Sequence, residues 1–383
     1  MSKKVAIIGA SSAGLFTAHL LARHGLQVEV YEAAEPIKPP KRTLIVTDHF
    51  LRLTGPLGAD TVVNKINRFE LFADGKVASV RLARPDLVIE RSALVEKLVE
   101  QARESGAHIF AGHRFNSMEL NGGTLRFTVV RNNGNTQLVN GSADVLVGAD
   151  GAFSRVARTA GWPQRKTLPL IQALVKLPKD MSVHTTRVWF LPEETPYFFW
   201  LIPHSSMEGA LGLIAEDERL GRLALERFLR KKGLQPLEFQ SARTPFYSQW
   251  VPYKRKIGRN DVYLVGDAGG HVKVSTVGGV VTGLRGALGV AEAILNGGHS
   301  SELRALRQEL GIHRLIRSGL NGFSQDHYAR LLDLVNSSVN HLLSWRSRDE
   351  ARKLVTQLFL KEPRLLFLGL RGLVQRAIFA SGR

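Results

Sequence analysis

Cysteine is absent from all 383 residues. That excludes a disulfide framework, thiolate metal sites and cysteine nucleophiles, and it matches a reducing compartment. No apolar run approaches the ~20 residues that a membrane-spanning helix needs. The basic opening Met1-Ser2-Lys3-Lys4 leads into an apolar stretch too short for a secretory signal, without a small-residue cleavage site. A cytoplasmic location is expected. Acidic residues are the minority, 34 against 52 Lys and Arg, for a formal charge of +18. A surface this basic attracts nucleic acid, anionic lipid or acidic ligands, and charge alone does not choose among them. Zinc-ligand spacings, ribonucleoprotein aromatics and heptads are also missing, which argues against nucleic acid and leaves no metal site to expect.

What remains is an ordinary folded composition, 44% hydrophobic and 22% charged. The length exceeds one compact core, so two or three structural units are expected. The chain opens as a β-branched strand at Val5–Ile8, a glycine turn, helical periodicity over Gly14–His24 and a second strand at Val28–Tyr31. A proline-rich basic loop, residues 36–42, then leaves this unit. Residues 62–90 read as a short strand pair turning at Asp74-Gly75, and Leu94–Ala102 as helix. Strands follow at 127–130 and 137–139, with Asn132–Asn135 as their turn. Residues 168–250 read as strand-rich. Strand, turn and helix return over 262–295, and the rest is helical and basic.

Three strand-turn units carry chemistry. Gly9-Ala10-Ser11-Ser12-Ala13-Gly14 lies between a strand and a helix, where a dinucleotide fingerprint must sit. Gly9 permits the tight turn, Gly14 permits close helix–strand packing, and the helix-start N–H groups face a pyrophosphate. Ser11 replaces the usual middle glycine but is still small. Glu32 ends the second strand, near the ~20-residue spacing of the acid that binds the adenosine ribose hydroxyls. It favours FAD or NAD over NADP. The second unit is the buried strand 144–147 ending at Asp150-Gly151. The third is the strand 261–265 ending at Gly266-Asp267, followed by Gly278-Gly279 at a helix start. Carboxylates at these strand ends can accept from ribityl hydroxyls, which NAD lacks. The helix dipole behind Gly278 and Gly279 can face the electron-rich edge of an isoalloxazine ring.

On these residues the chain resembles the glutathione-reductase-type FAD proteins related to aromatic hydroxylases, over residues 1–295. Within them it resembles the geranylgeranyl reductase family, through Gly266–Lys273 with Gly278-Gly279 and Gly283-Leu284, and through Phe198–Pro203. It departs at Val274, where the family has proline, and at Val277, where a further glycine is common. The resemblance implies an α/β fold. A discontinuous Rossmann-like FAD-binding domain takes 1–65, 91–165 and 255–298. A mixed or antiparallel β-sheet substrate domain takes 66–90 and 166–254, and a helical region takes 299–383. It also implies that Arg91, and more weakly Arg42, contacts the flavin or its phosphates.

Tyr197, Phe199 and Trp200 are the candidate pocket wall, with plain core as the alternative. His271 and Lys273 follow the Gly-Asp turn and are candidates to supply a proton or steady the reduced flavin, or simply to hold the loop. The expected activity is reduction of carbon–carbon double bonds in an isoprenoid lipid. A monooxygenase, a halogenase or a non-enzymatic flavin protein are the alternatives, since one fold hosts them all. No second dinucleotide fingerprint occurs, so NAD(P)H would bind transiently or a protein donor would reduce the flavin. From Pro363 onward four arginines and no acid accompany an apolar run. Arg364, Arg371 and Gln375 fall on one helix side, and Leu366, Leu370, Leu373, Val374 and Ala377 on the other. Such a helix lies on an anionic membrane surface or packs onto its own domain.

Overall fold

The computed structural model describes residues 3–132, 136–246 and 250–381. The Asn132–Asn135 turn extends outside the described residues. Two large sheets organise the chain. The first has strand order 254–257, 260–264, 145–148, 4–8, 27–31 and 108–110. It is parallel except for the antiparallel pairing of the edge strand Lys254–Ile257 with Asn260–Leu264. Its central strands are continuous runs of buried β-branched and aliphatic residues, as a sheet covered on both faces requires.

Register fixes where this sheet does its work. Ile8 pairs with Tyr31 and Gly148, and Gly148 pairs with Leu264. The carboxyl ends of the three signature strands are therefore level. Helix Ser12–Arg23 packs back onto them because Gly14 has no side chain: a Cβ there would collide with the Gly9 carbonyl. Ser11 caps the helix, its Oγ accepting from Gly14 N at 3.2 Å.

The second sheet has order 236–245, 167–176, 208–214, 199–203, 185–189, 62–73, 76–90 and 43–46. It is mixed, with Thr185–Trp189 parallel to Val62–Ala73 and its other pairings antiparallel. Three features correct the sequence reading. Strand Thr43–Val46 and the start of Val62–Ala73 belong to this sheet, so it gathers chain earlier than residue 66. The hairpin at Asp74-Gly75 is long, with strands of 12 and 15 residues. The strand-rich region also contains a helix, Glu218–Lys232, capped by Asp217 and ended by Gly233 at φ 65°. It buries Ala224, Leu225, Phe228 and Leu229 beneath the sheet. A third sheet, antiparallel, joins 113–121, 124–132 and 136–143.

Helices Ser301–Leu320, Gln325–Leu334, Ala351–Lys361 and Arg364–Ser381 form a layer against the long hairpin. Phe323, Tyr328, Leu332 and Leu368 pack with Ala73, Ala78 and Val80. The last helix docks by its glycines: a Cβ on Gly372 would strike the Gly319 carbonyl, and one on Gly322 the Gly372 carbonyl. Its buried side is thus Leu368 and Gly372 with Leu365, while Leu366 and Leu370 are exposed alongside Arg364 and Arg371. Leu373, Val374, Gln375 and Ala377 have no described side chains. Among the described residues no helix is long and apolar enough to cross a membrane.

Candidate functional site

At the level strand ends the sequence candidates converge. Gly9, at φ 104°, packs so tightly on Ala149 that no side chain fits. Ser12 and Ala13 open the helix beside it, and a Cβ on Gly266 would lie 3.0 Å from Ala13 Cβ. The first and third turns therefore touch. Glu32 reaches back to the first turn, Oε2 accepting from Ala10 N at 2.7 Å and Oε1 from Ala34 N at 2.9 Å.

Asp150 lies at the end of the second strand unit. Its oxygens accept from Ser154 Oγ at 2.6 Å, Arg155 N at 2.7 Å and Val156 N at 3.1 Å. This carboxylate caps helix Arg155–Thr159. Burial nevertheless raises its pKa, against the pull of those hydrogen bonds.

Asp267 meets the two arginines that sequence resemblance singled out. Burial raises its pKa, and the charges of Arg91 and Arg42 oppose the rise. Arg42 in turn is lowered to about 10, by burial first and by Arg91 second. Backbone ties hold the pair together: Arg91 N donates to Arg42 O at 2.9 Å, and Arg42 N to Glu90 Oε1 at 3.0 Å. Glu90 also caps the helix Arg91–Glu104 through Ser92 N and Ala93 N. It offsets the cost of an arginine at that positive helix end. Buried Arg42 Nε has no partner among the described residues.

The loop 266–279 completes the site. A Cβ on Gly279 would lie 3.5 Å from Asp267 Oδ1, so the carboxylate stands beside the start of helix Val280–Leu295. Gly278 accepts from Lys273 N at 3.1 Å and closes the loop. Val277, the family's variable glycine position, sits at φ 53°, a left-handed conformation costly for a β-branched residue. His271 is buried inside the loop, its Nδ1 accepting from Gly266 N at 3.2 Å, and burial lowers its pKa to about 3. It is a neutral brace and does not line the adjoining cavity. Lys273 does line it, and its Nζ pairs with Asp349 Oδ1 at 2.5 Å. Thr47 Oγ1 donates to the other Asp349 oxygen at 2.5 Å.

From this loop a cavity of about 710 Å³ runs between the second sheet and the helical layer. That is a normal volume for an organic ligand. Trp200 lines it, with Phe198 and Ile202, while Phe199 does not. Alternation along the strand turns Phe199 to the other face, stacked on Phe228 at 4.5 Å. Tyr197 lies under Arg317, whose guanidinium carbon is 4.7 Å from its ring centre, rather than on the cavity wall. Of the three candidate wall residues, Trp200 lines this cavity, and Phe199 and Tyr197 do not. Leu315, Trp345, Leu366 and Leu370 line the cavity yet are exposed, which makes an apolar rim. Sequence reasoning missed Glu90, Asp349 and Arg317. A polar stripe Glu309, His313, Arg317 at helical spacing was the one available signal for the last.

Level strand ends, a capped helix start, an acid at the second strand and an arginine nitrogen awaiting an acceptor together fit FAD. They define a flavin-dependent oxidoreductase fold. The FAD binding domain family profile matches residues 2–296, and the chain belongs to that family. It is 25% identical over 325 residues to the chloroplastic geranylgeranyl diphosphate reductase of Oryza sativa subsp. japonica, covering 77% of this chain and 66% of that one. It is 24% identical over 304 residues to an uncharacterised protein of Mycobacterium tuberculosis strain ATCC 25618 / H37Rv, covering 70% and 78%. Among solved structures, a geranylgeranyl bacteriochlorophyll reductase-like protein from Thermoplasma acidophilum superposes with TM-score 0.77 at 16% identity, covering 96% and 99%. The flavin-dependent halogenase CmlS gives 0.66 at 15% identity, covering 95% and 78%. The monooxygenase PieE, solved with FAD and substrate, gives 0.62 at 16% identity, covering 93% and 71%.

Proposed function

We propose that this protein reduces carbon–carbon double bonds of an isoprenoid lipid, using FAD reduced by NAD(P)H or by a protein donor. The carrying observation is the long apolar cavity that begins at Lys273–Gly279 and ends at an apolar rim. When bound and reduced, FAD would supply the hydride for one carbon of the double bond. Arg42, Arg91, Glu32 and the helix-start groups at Ser12 and Ala13 would hold the cofactor. Trp200, Phe198 and Ile202 would press the chain toward it and exclude water. Lys273 is the sequence candidate that reaches the cavity, where it pairs with Asp349, and it would give the second carbon its proton. The rim, flanked by exposed Arg364 and Arg371, suits a lipid entering from an anionic membrane surface.

Anaerobic incubation of the reduced protein with prenyl lipids, read by mass, tests this. A gain of two hydrogens per double bond is expected. Strict dependence on dioxygen with a gain of one oxygen atom would replace the reading with monooxygenation, the chemistry named for PieE.

A further inference from the structure

Helix Ser301–Leu320 turns a polar stripe inward. Glu309, His313 and Arg317 recur every fourth residue, and all three are buried. Arg317 is the anomaly. It is 2% exposed, yet among the described residues no carboxylate pairs with it. Nη2 donates to Pro196 O at 2.7 Å, Tyr197 lies beneath the guanidinium and the Tyr328 hydroxyl meets it, but Nε has no partner. A buried charge without a counter-ion is costly, and such a site in a native fold calls for a partner from outside the chain.

The next turn repeats the pattern. His313 Nδ1 is 2.6 Å from Ser275 Oγ of the 266–279 loop. With Nδ1 accepting the hydroxyl, the ring proton sits on Nε2, which faces the Arg348 backbone but has no partner at good hydrogen-bond geometry. Glu309 Oε1 is 3.7 Å from it, beyond hydrogen-bond reach, and this carboxylate already accepts from Ala351 N and from Arg352 N at 3.4 Å. Burial, then the charge of Lys273, lowers the pKa of His313 to about 3, so the ring is a neutral donor. Both residues line the cavity. Four residues of helix separate them by about 6 Å along the axis.

We propose that Arg317 and His313 form an oxyanion subsite inside the cavity, which takes the charged end of a single-chain amphiphile: a carboxylate or a phosphate ester oxygen. The apolar walls take its tail. The inference rests on the reading that the cavity binds an apolar substrate, and it names the head that such a substrate carries. His313 of the subsite touches Ser275 of the 266–279 loop, so the anionic end is held near that loop while the tail extends toward the rim.

Dodecanoate, dodecyl phosphate and dodecanol are the probes, titrated into the FAD-loaded resting protein and read by calorimetry and tryptophan quenching. Both anions are expected to bind roughly ten- to hundred-fold tighter than the alcohol, the worth of a charge-assisted hydrogen bond. The tighter of the two identifies the head group. Arg317→Met, which keeps the volume, should abolish that preference and leave dodecanol binding within about threefold. Equal binding of acid and alcohol by the wild type overturns the subsite, and so does a preference that survives Arg317→Met. If the variant does not fold, the wild-type comparison alone decides. Dodecanol binding without preference defeats the subsite and spares the apolar-substrate reading; no binding by any probe defeats both. Because the resting protein is used, neither result depends on whether turnover reduces or oxygenates.

Discussion

Replacing Asp349 with Asn should be among the most damaging single changes away from the cofactor. The Lys273–Asp349 pair has side chains 6% and 0% exposed and a 2.5 Å contact. It joins the flavin loop to the helical layer, and Thr47 of the second sheet donates to the same carboxylate. In Asp349→Asn the ammonium stays buried with no counter-charge, which costs about 3–5 kcal/mol. Removing both charges, in Lys273→Met with Asp349→Leu, costs far less, because two apolar side chains of similar size pack without desolvation. Urea unfolding of the FAD-loaded protein, wild type, two single variants and the double, gives the cycle. The pH dependence follows from the same contact. Burial alone would raise the pKa of Asp349, but Lys273 and the hydrogen bonds from Lys273 and Thr47 override it and depress the value. The pair's stabilisation is therefore full above the unfolded value near 4 and declines as pH falls below it. A loss under about 1 kcal/mol in Asp349→Asn, or a double variant as weak as the sum of the singles, would refute this reasoning.

Other perturbations separate packing from binding. Phe199→Ala should cost about 3–5 kcal/mol of stability by opening a cavity against Phe228, with any folded fraction keeping its substrate affinity. Trp200→Ala should instead raise KM for the lipid, and a change in stability alone would count against its place on the cavity wall. Val277→Gly removes a strained φ of 53°. A strain of about 1–3 kcal/mol against a glycine cost of 0.5–1 predicts a higher Tm, read by calorimetry. Glu32→Ala should weaken FAD binding by roughly ten- to hundred-fold in an equilibrium titration, the worth of a carboxylate–hydroxyl bond.

The cofactor half of the molecule was legible because its signals are local. Gly9 and Gly14 are dictated by one turn and one packed helix, and Glu32 by one strand length. The strand-end positions of Asp267 and Asp150 were legible by the same logic, whereas the hydrogen bonds of Asp150 were not. Whether a strand-end carboxylate faces a ligand or caps the next helix depends on Ser154 and the 155–159 backbone, and both outcomes share one sequence pattern. Phe199 was misread for want of phase: period-two alternation sorts Phe198 and Trp200 from Phe199, but only the packed helix 218–232 says which face is core. Lys273, Thr47 and Asp349 meet across 302 residues of chain, a separation that periodicity does not span. His271 shows the converse, since adjacency to the Gly-Asp turn singled it out while its buried ring braces the loop.

The central claim, that the first and third strand ends grip one long ligand through both its adenosine and its flavin ends, is tested most directly by titrating the apoprotein with FAD and with FMN. One FAD per chain is predicted, bound far more tightly than FMN, which lacks the adenosine that Glu32 would hold. Failure to take up flavin, or equal affinity for FMN, would contradict it.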